Sequence, residues 1–283
     1  MEVYDSKNGI RRHWTGDDGR VHEVIFQGKY LKWRVHQPPS NVKQTTKRQP
    51  IVEFSKASRL RLLCVFNQVD WRAATPALFI TLTYPDNVEC RKRKTLNTHR
   101  YVFWRSLEKK MGRHIPAIWR LEWKVRLTGE LVGEPMPHWH MLAFKEPFIH
   151  HDQINYLWQK AIGHEGYVRT ETERMRNQRQ AGYYISKYLA KVDPSLVIAA
   201  YHNKLPTGRQ WGILRKSLLP LMPEHRVRLP PGDVVNAARQ YAALERPEVN
   251  TYGNESFTLL GEKAIAVGEY LFGKGVDRGR ARG

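Results

Sequence analysis

Residues 117–127, AIWRLEWKVRL, alternate with a period of two. Ile118, Arg120, Glu122 and Lys124 point one way, and Trp119, Leu121, Trp123 and Val125 the other. A turn-rich stretch, TGELVGEPM, follows, and PHWHMLAF (137–144) alternates again. Two alternating strands joined this way read as an antiparallel hairpin. The indole-rich face of this hairpin must be covered by other elements. Upstream, ALFITLTYPDN (77–87) is a run of β-formers closed by a Pro-Asp-Asn turn signal. Helical spacing appears at 55–72, at 96–112 ending on Gly112, at 152–162 and at 179–191, with a short strand at 167–170. That order predicts an α+β fold, an antiparallel β-sheet with helices packed on it.

Outside this segment the pattern weakens. Residues 1–50 read as basic and poorly ordered, and 37–50 (QPPSNVKQTTKRQP) as an extended linker. The main domain is expected over 51–220. A mostly helical extension over 221–283 follows, with helices near 232–245 and 262–272 and a disordered Gly/Arg-rich tail.

Lys and Arg number 47 against 27 Asp and Glu, a formal net charge of +20. Such an excess calls for a polyanionic partner, nucleic acid or an acidic membrane surface. No run approaches the ~20 apolar residues of a membrane span, and the first residues lack the apolar core of a secretory signal. Nucleic acid and a cytoplasmic setting are therefore expected, with no membrane. The two cysteines, Cys64 and Cys90, form no metal-binding spacing.

Chemistry concentrates in two places. On a strand, His138 and His140 project from the same face and can begin a divalent-metal site. An HxH pair alone is more often structural, so a third ligand is needed. Glu122, on the same-facing side of the partner strand, is one candidate, and Glu134 in the turn is another. A cross-strand ion pair to Arg120 or Lys124 is the competing reading of Glu122. Two imidazoles and a carboxylate suit Mg²⁺ or Mn²⁺. The second place is the helix YYISKYLAK, where Tyr184, Lys187, Tyr188 and Lys191 share one stripe. A phenol has a reference pKa near 10, so about 4 kcal/mol of differential stabilisation is needed to ionise it at neutral pH. Nearby cations, a metal-polarised phosphate or a base can supply it. Tyr183 shares a face with Lys187 and is not excluded as nucleophile, and an ordinary amphipathic helix is the plainer reading.

Three segments, in order, resemble the motifs of the HUH endonucleases, and in particular rolling-circle replication initiators. FITLTY (79–84) is similar to their first strand motif. PHWHML (137–142) is similar to the metal-binding His–hydrophobe–His, and YISKYLAK (184–191) to the two-tyrosine motif found in the gene A proteins of small single-stranded DNA phages. GRQWG (208–212) is similar to a segment that often follows. The resemblance spans roughly 76–220 and implies a ferredoxin-like Rep nuclease fold over 51–220. It implies a Mg²⁺ or Mn²⁺ ion on His138, His140 and Glu122. Tyr184 would attack a single-stranded DNA phosphate to leave a 5′-phosphotyrosine and a free 3′-OH. Tyr188 would make a second transfer, and Lys187 and Lys191 would hold the phosphate. The implied partners are a hairpin-bearing replication origin of a plasmid or phage and, because no phosphate-loop motif is present, a host helicase and polymerase. A transposase or relaxase with the same chemistry is an alternative, as is a non-catalytic nucleic-acid-binding protein. Contacts to DNA are expected from Arg91, Lys92, Arg93, Lys94, Thr83, Tyr84, Arg209 and Trp211, with stacking by Tyr101 and Trp104. Strand packing competes as the reading of Thr81, Thr83 and Tyr84, and helix capping as the reading of His150 and His151.

Overall fold

The computed structural model describes residues 21–36, 54–88, 90, 92–146, 148–184, 208–229, 231–244, 248–249 and 255–273. They fall into two compact units, one drawn from 21–36, 63–70 and the residues from 221 onward, the other from 54–62 and 71–220.

The second unit holds an antiparallel sheet of β3 (Ala77–Leu82), β4 (Ala117–Val125), β5 (Pro135–Ala143), β6 (Thr170–Met175) and β7 (Trp211–Leu214). Its strand order is β6-β3-β5-β4-β7. The expected hairpin forms, with Glu122 opposite His138 and Arg120 opposite His140. One face carries Leu78, Ile80, Leu82, Trp119, Leu121, Trp123, Trp139 and Met141. Helices α3 (Arg93–Met111) and α4 (His151–Ile162) cover it with Leu96, Phe103, Trp104, Leu107, Ile154 and Trp158. This is the α+β arrangement that the alternation predicts. The expected 55–72 helix is interrupted, giving α1 (Lys56–Gln68) and a short α2 (Trp71–Ala74).

Two strands differ from expectation. β6 begins at Thr170 rather than ending there. Its sequence, TETERM, is polar because it is an edge strand, so it carries no apolar period. β7 lies in a stretch read as basic and turn-rich. Gly212 sits opposite Trp119, and a Cβ at that position would come within 2.7 Å of the indole. The second glycine of GRQWG is therefore a packing requirement of the sheet.

The first unit is a second antiparallel sheet, ordered β8-β1-β2-β10-β9. It comprises β1 (Val21–Gln27), β2 (Tyr30–His36), β8 (His225–Arg228), β9 (Glu248–Val249) and β10 (Glu255–Leu260). Helices α6 (Pro231–Ala242) and α7 (Glu262–Phe272) accompany it, close to the two helices expected there. The 1–50 segment, read as poorly ordered, thus contains a regular hairpin. Val24, Phe26, Leu31, Trp33 and Val35 all face its core. Gly28, at φ 59, opens the two-residue turn between Gln27 and Tyr30. The Gly-Lys pair between two alternating runs is the available signal, masked by the interspersed charges.

Candidate active site

The sheet face opposite α3 and α4 carries the predicted ligands. Strand alternation turns Arg120, Glu122, His138 and His140 away from Trp119, Leu121 and Trp139. Glu122 Oε2 lies 2.8 Å from His140 Nε2 and 3.3 Å from Lys124 Nζ. His140 Nδ1 lies 3.2 Å from the Thr81 hydroxyl. The rings of His138 and His140 are 6.4 Å apart, nearly parallel at 28°. Beside them, Arg120 is buried with its guanidinium 4.4 Å above the ring of Phe54.

Burial, with the charges of Lys124 and His140, pushes His138 down to about 3. Burial likewise lowers His140. Burial works to raise Glu122, but the His140 hydrogen bond and the Lys124 and Arg120 charges outweigh it and hold the carboxyl low. At neutral pH the group is thus two neutral imidazoles and one carboxylate. That donor set fits a divalent cation, since ligands must be deprotonated to bind. The Glu122–His140 hydrogen bond is the contact an ion would replace. Thr81, whose hydroxyl can donate or accept, serves either tautomer of His140. The competing ion pair from Glu122 to Lys124 is present as well, and the two coexist on one carboxylate.

The phenol expected to attack lies on the same face. Helix α5 (Gln178–Tyr184) follows β6 directly. Tyr184 sits with its ring 5.0 Å from that of Phe79, which in turn stacks 5.8 Å from His140. One phenyl ring thus separates the tyrosine from the buried histidine. The Tyr184 hydroxyl donates to Glu173 Oε2. Glu173 pairs with Phe79 across the β3–β6 ladder, so it shares their face. Glu173 does not stand out in the sequence, because a glutamate alternating along a polar edge strand looks like ordinary solvated surface.

Tyr188, Lys187, Lys191 and Arg91 lie outside the described residues, as does the side chain of Tyr183. The expected DNA contacts divide. Lys92, Lys94 and Arg209 are exposed, and Arg93 is half-buried and donates to the Arg209 carbonyl. Thr83 donates to the Arg169 carbonyl at 2.6 Å. Trp211 donates to Ser58 Oγ at 3.2 Å and is partly buried. Tyr84 is corrected: it is 2% exposed, its hydroxyl 3.3 Å from both Trp139 Nε1 and His99 Nδ1, and it packs edge-on to Trp158. It belongs to the core because β3 ends at Leu82 and the chain turns Tyr84 under α4. Trp104 is also core, at 3% exposure, whereas Tyr101 is 61% exposed.

Among the described residues, His150, His151 and Asp152 form a group with donor atoms within 4.8 Å of one another. All three are exposed, and His150 caps α4 by accepting from the Asp152 amide at 3.4 Å. Capping accounts for His150, as its position before the helix predicts.

No helix among the described residues is long and apolar enough to cross a membrane. Neither the curated proteins nor the solved structures compared with the chain gave a match. Residues 77–193, less than half of the chain, match the family model of the replication-associated protein ORF2. The matched segment starts at the first residue of β3 and runs past the two-tyrosine stretch, and this supports a replication-initiator family.

Proposed function

We propose that this protein is a metal-dependent, site-specific nickase and strand transferase that starts rolling-circle replication of a plasmid or phage on single-stranded DNA. The observation that carries the reading is the convergence on one sheet face of His138, His140 and Glu122 with Tyr184. The family match to a replication-associated protein supports DNA as the substrate, and the +20 charge supports affinity for its backbone.

His138, His140 and Glu122 would hold Mg²⁺ or Mn²⁺. When bound, the ion supplies charge stabilisation for the phosphate oxygens. Thr81 fixes the His140 ring. Tyr184 is the nucleophile, and Glu173 accepts the phenol proton as the oxygen attacks phosphorus. The bond from phosphorus to the 3′ oxygen breaks, and that oxygen takes a proton to leave a free 3′-OH. The 5′ phosphate stays on the tyrosine as a diester, so its energy is kept for religation without a nucleoside triphosphate. Tyr188 makes the second transfer, and Lys187 and Lys191 steady the phosphate.

The test incubates the full chain and Mn²⁺ with single-stranded DNA from the region flanking the gene. A denaturation-resistant protein–DNA adduct is expected. Chelation, or Tyr184→Phe together with Tyr188→Phe, should abolish it. An adduct that survives in the double variant refutes this assignment and points to Tyr183.

A further inference from the structure

Helix α3 presents Arg93, Lys94, Asn97, Thr98, Arg100 and Tyr101 along one groove. Their spacing places them on a single helical stripe. Among the described residues, no acidic side chain lines it. At its floor Arg100 lies flat over two indoles, its guanidinium carbon 4.5 Å from the ring centre of Trp119 and 5.5 Å from that of Trp139. Arg100 Nε is buried with no hydrogen-bond partner among the described residues, and so is Arg93 Nη1. Burial and the neighbouring Arg93 charge both lower Arg100, to about 10, which leaves it protonated at neutral pH. Two guanidiniums thus oppose each other in one concavity, each with a donor left over. A buried donor without an acceptor is costly, and an anion that accepts from both relieves that cost and their repulsion. Tyr101 stands exposed on the same groove.

The geometry points to a second nucleic-acid site on α3, in which a phosphodiester of single-stranded DNA sits against Arg93 and Arg100 and an unpaired base stacks on Tyr101. An exposed ring beside paired arginines suits a single strand, because every unpaired base offers a flat face. This site rests on the DNA-binding part of the proposed function and not on its chemistry. It is also on the other side of the sheet. Arg100 covers Trp119 and Trp139, whose strand neighbours Arg120, His138 and His140 face the opposite way. Arg93 reaches the Arg209 carbonyl just before β7, the edge strand. A strand that engages both sites therefore turns round the β7 edge, and the groove anchors nucleotides away from the scissile phosphate.

Binding of labelled oligo-dT to the full chain, in chelator and over a range of salt concentrations, tests the site apart from any cleavage. Arg93→Gln with Arg100→Gln should lower the slope of log affinity against log salt by about 1.4, roughly 0.7 for each phosphate no longer neutralised. Tyr101→Ala, an exposed position with no bearing on folding, should weaken binding about tenfold. Lys109→Gln with Lys110→Gln removes equal charge from the same helix outside the groove and should leave the slope unchanged. Equal slopes in the two arginine and lysine doubles, or wild-type affinity in Tyr101→Ala, would overturn the proposal. So would displacement of oligo-dT by inorganic phosphate at constant ionic strength, which would make the groove a free-anion site. A protein that binds in this way but forms no adduct would sink the nickase reading alone.

Discussion

At the scale of single residues, the candidate site is a set of buried ionisable groups held in their metal-binding protonation states. His138 is lowered from 6.5 to about 3. The folded form therefore binds fewer protons than the unfolded form between those values, and stability rises with pH across that window and is fully present above it. Glu122 and Glu108, both held low, act in the same direction at more acidic pH, since their contribution is lost as pH falls. In chelator, denaturant unfolding of the wild type should lose stability from about pH 6.5 downward, by roughly 1.4 kcal/mol per pH unit for each histidine involved. His138→Ala should flatten that dependence, and an unchanged slope would show that the imidazole titrates normally. Thr81 makes a second residue-level prediction. Its hydroxyl orients the His140 ring, so Thr81→Val should weaken Mn²⁺ binding by about tenfold in calorimetry while leaving the fold intact. Wild-type affinity would reduce Thr81 to strand packing.

At the scale of elements, the alternation in 117–127 and 137–144 is sufficient to place four charged and imidazole groups on one face, because a strand's period leaves no freedom about side. Helices α3 and α4 are legible from their apolar spacing and from Gly112 at the end of α3. The edge strands are not. β6 is polar and β7 is short, so neither carries the period that sequence reading depends on, and β6 brings in Glu173 unannounced. Tyr84 departs from expectation for a related reason: a β-forming aromatic at the end of a strand gives no sign of which layer it enters. The N-terminal hairpin shows the same limit, since its apolar residues alternate with Glu23, Lys32 and Arg34. Gly212 tests the sheet itself. Gly212→Ala places a methyl against the Trp119 indole and should cost about 1–3 kcal/mol by thermal or urea unfolding. A neutral substitution would mean that β7 can move off β4.

At the scale of the whole molecule, the excess of basic residues draws a polyanion in, and two faces of one sheet divide the work of handling it. The helix-covered side offers arginines and an exposed tyrosine. The other side offers imidazoles, a carboxylate and a phenol one ring apart. The proposed chemistry requires that this phenol and these imidazoles act on the same phosphodiester. Peptide mapping by mass spectrometry of the wild-type protein after reaction with origin DNA and Mn²⁺ reads this directly. The expected result is a nucleotide-bearing peptide modified at Tyr184, absent when His138 and His140 are both replaced by alanine. A nucleotide attached outside the two-tyrosine helix, or an equal yield without the histidines, would contradict it.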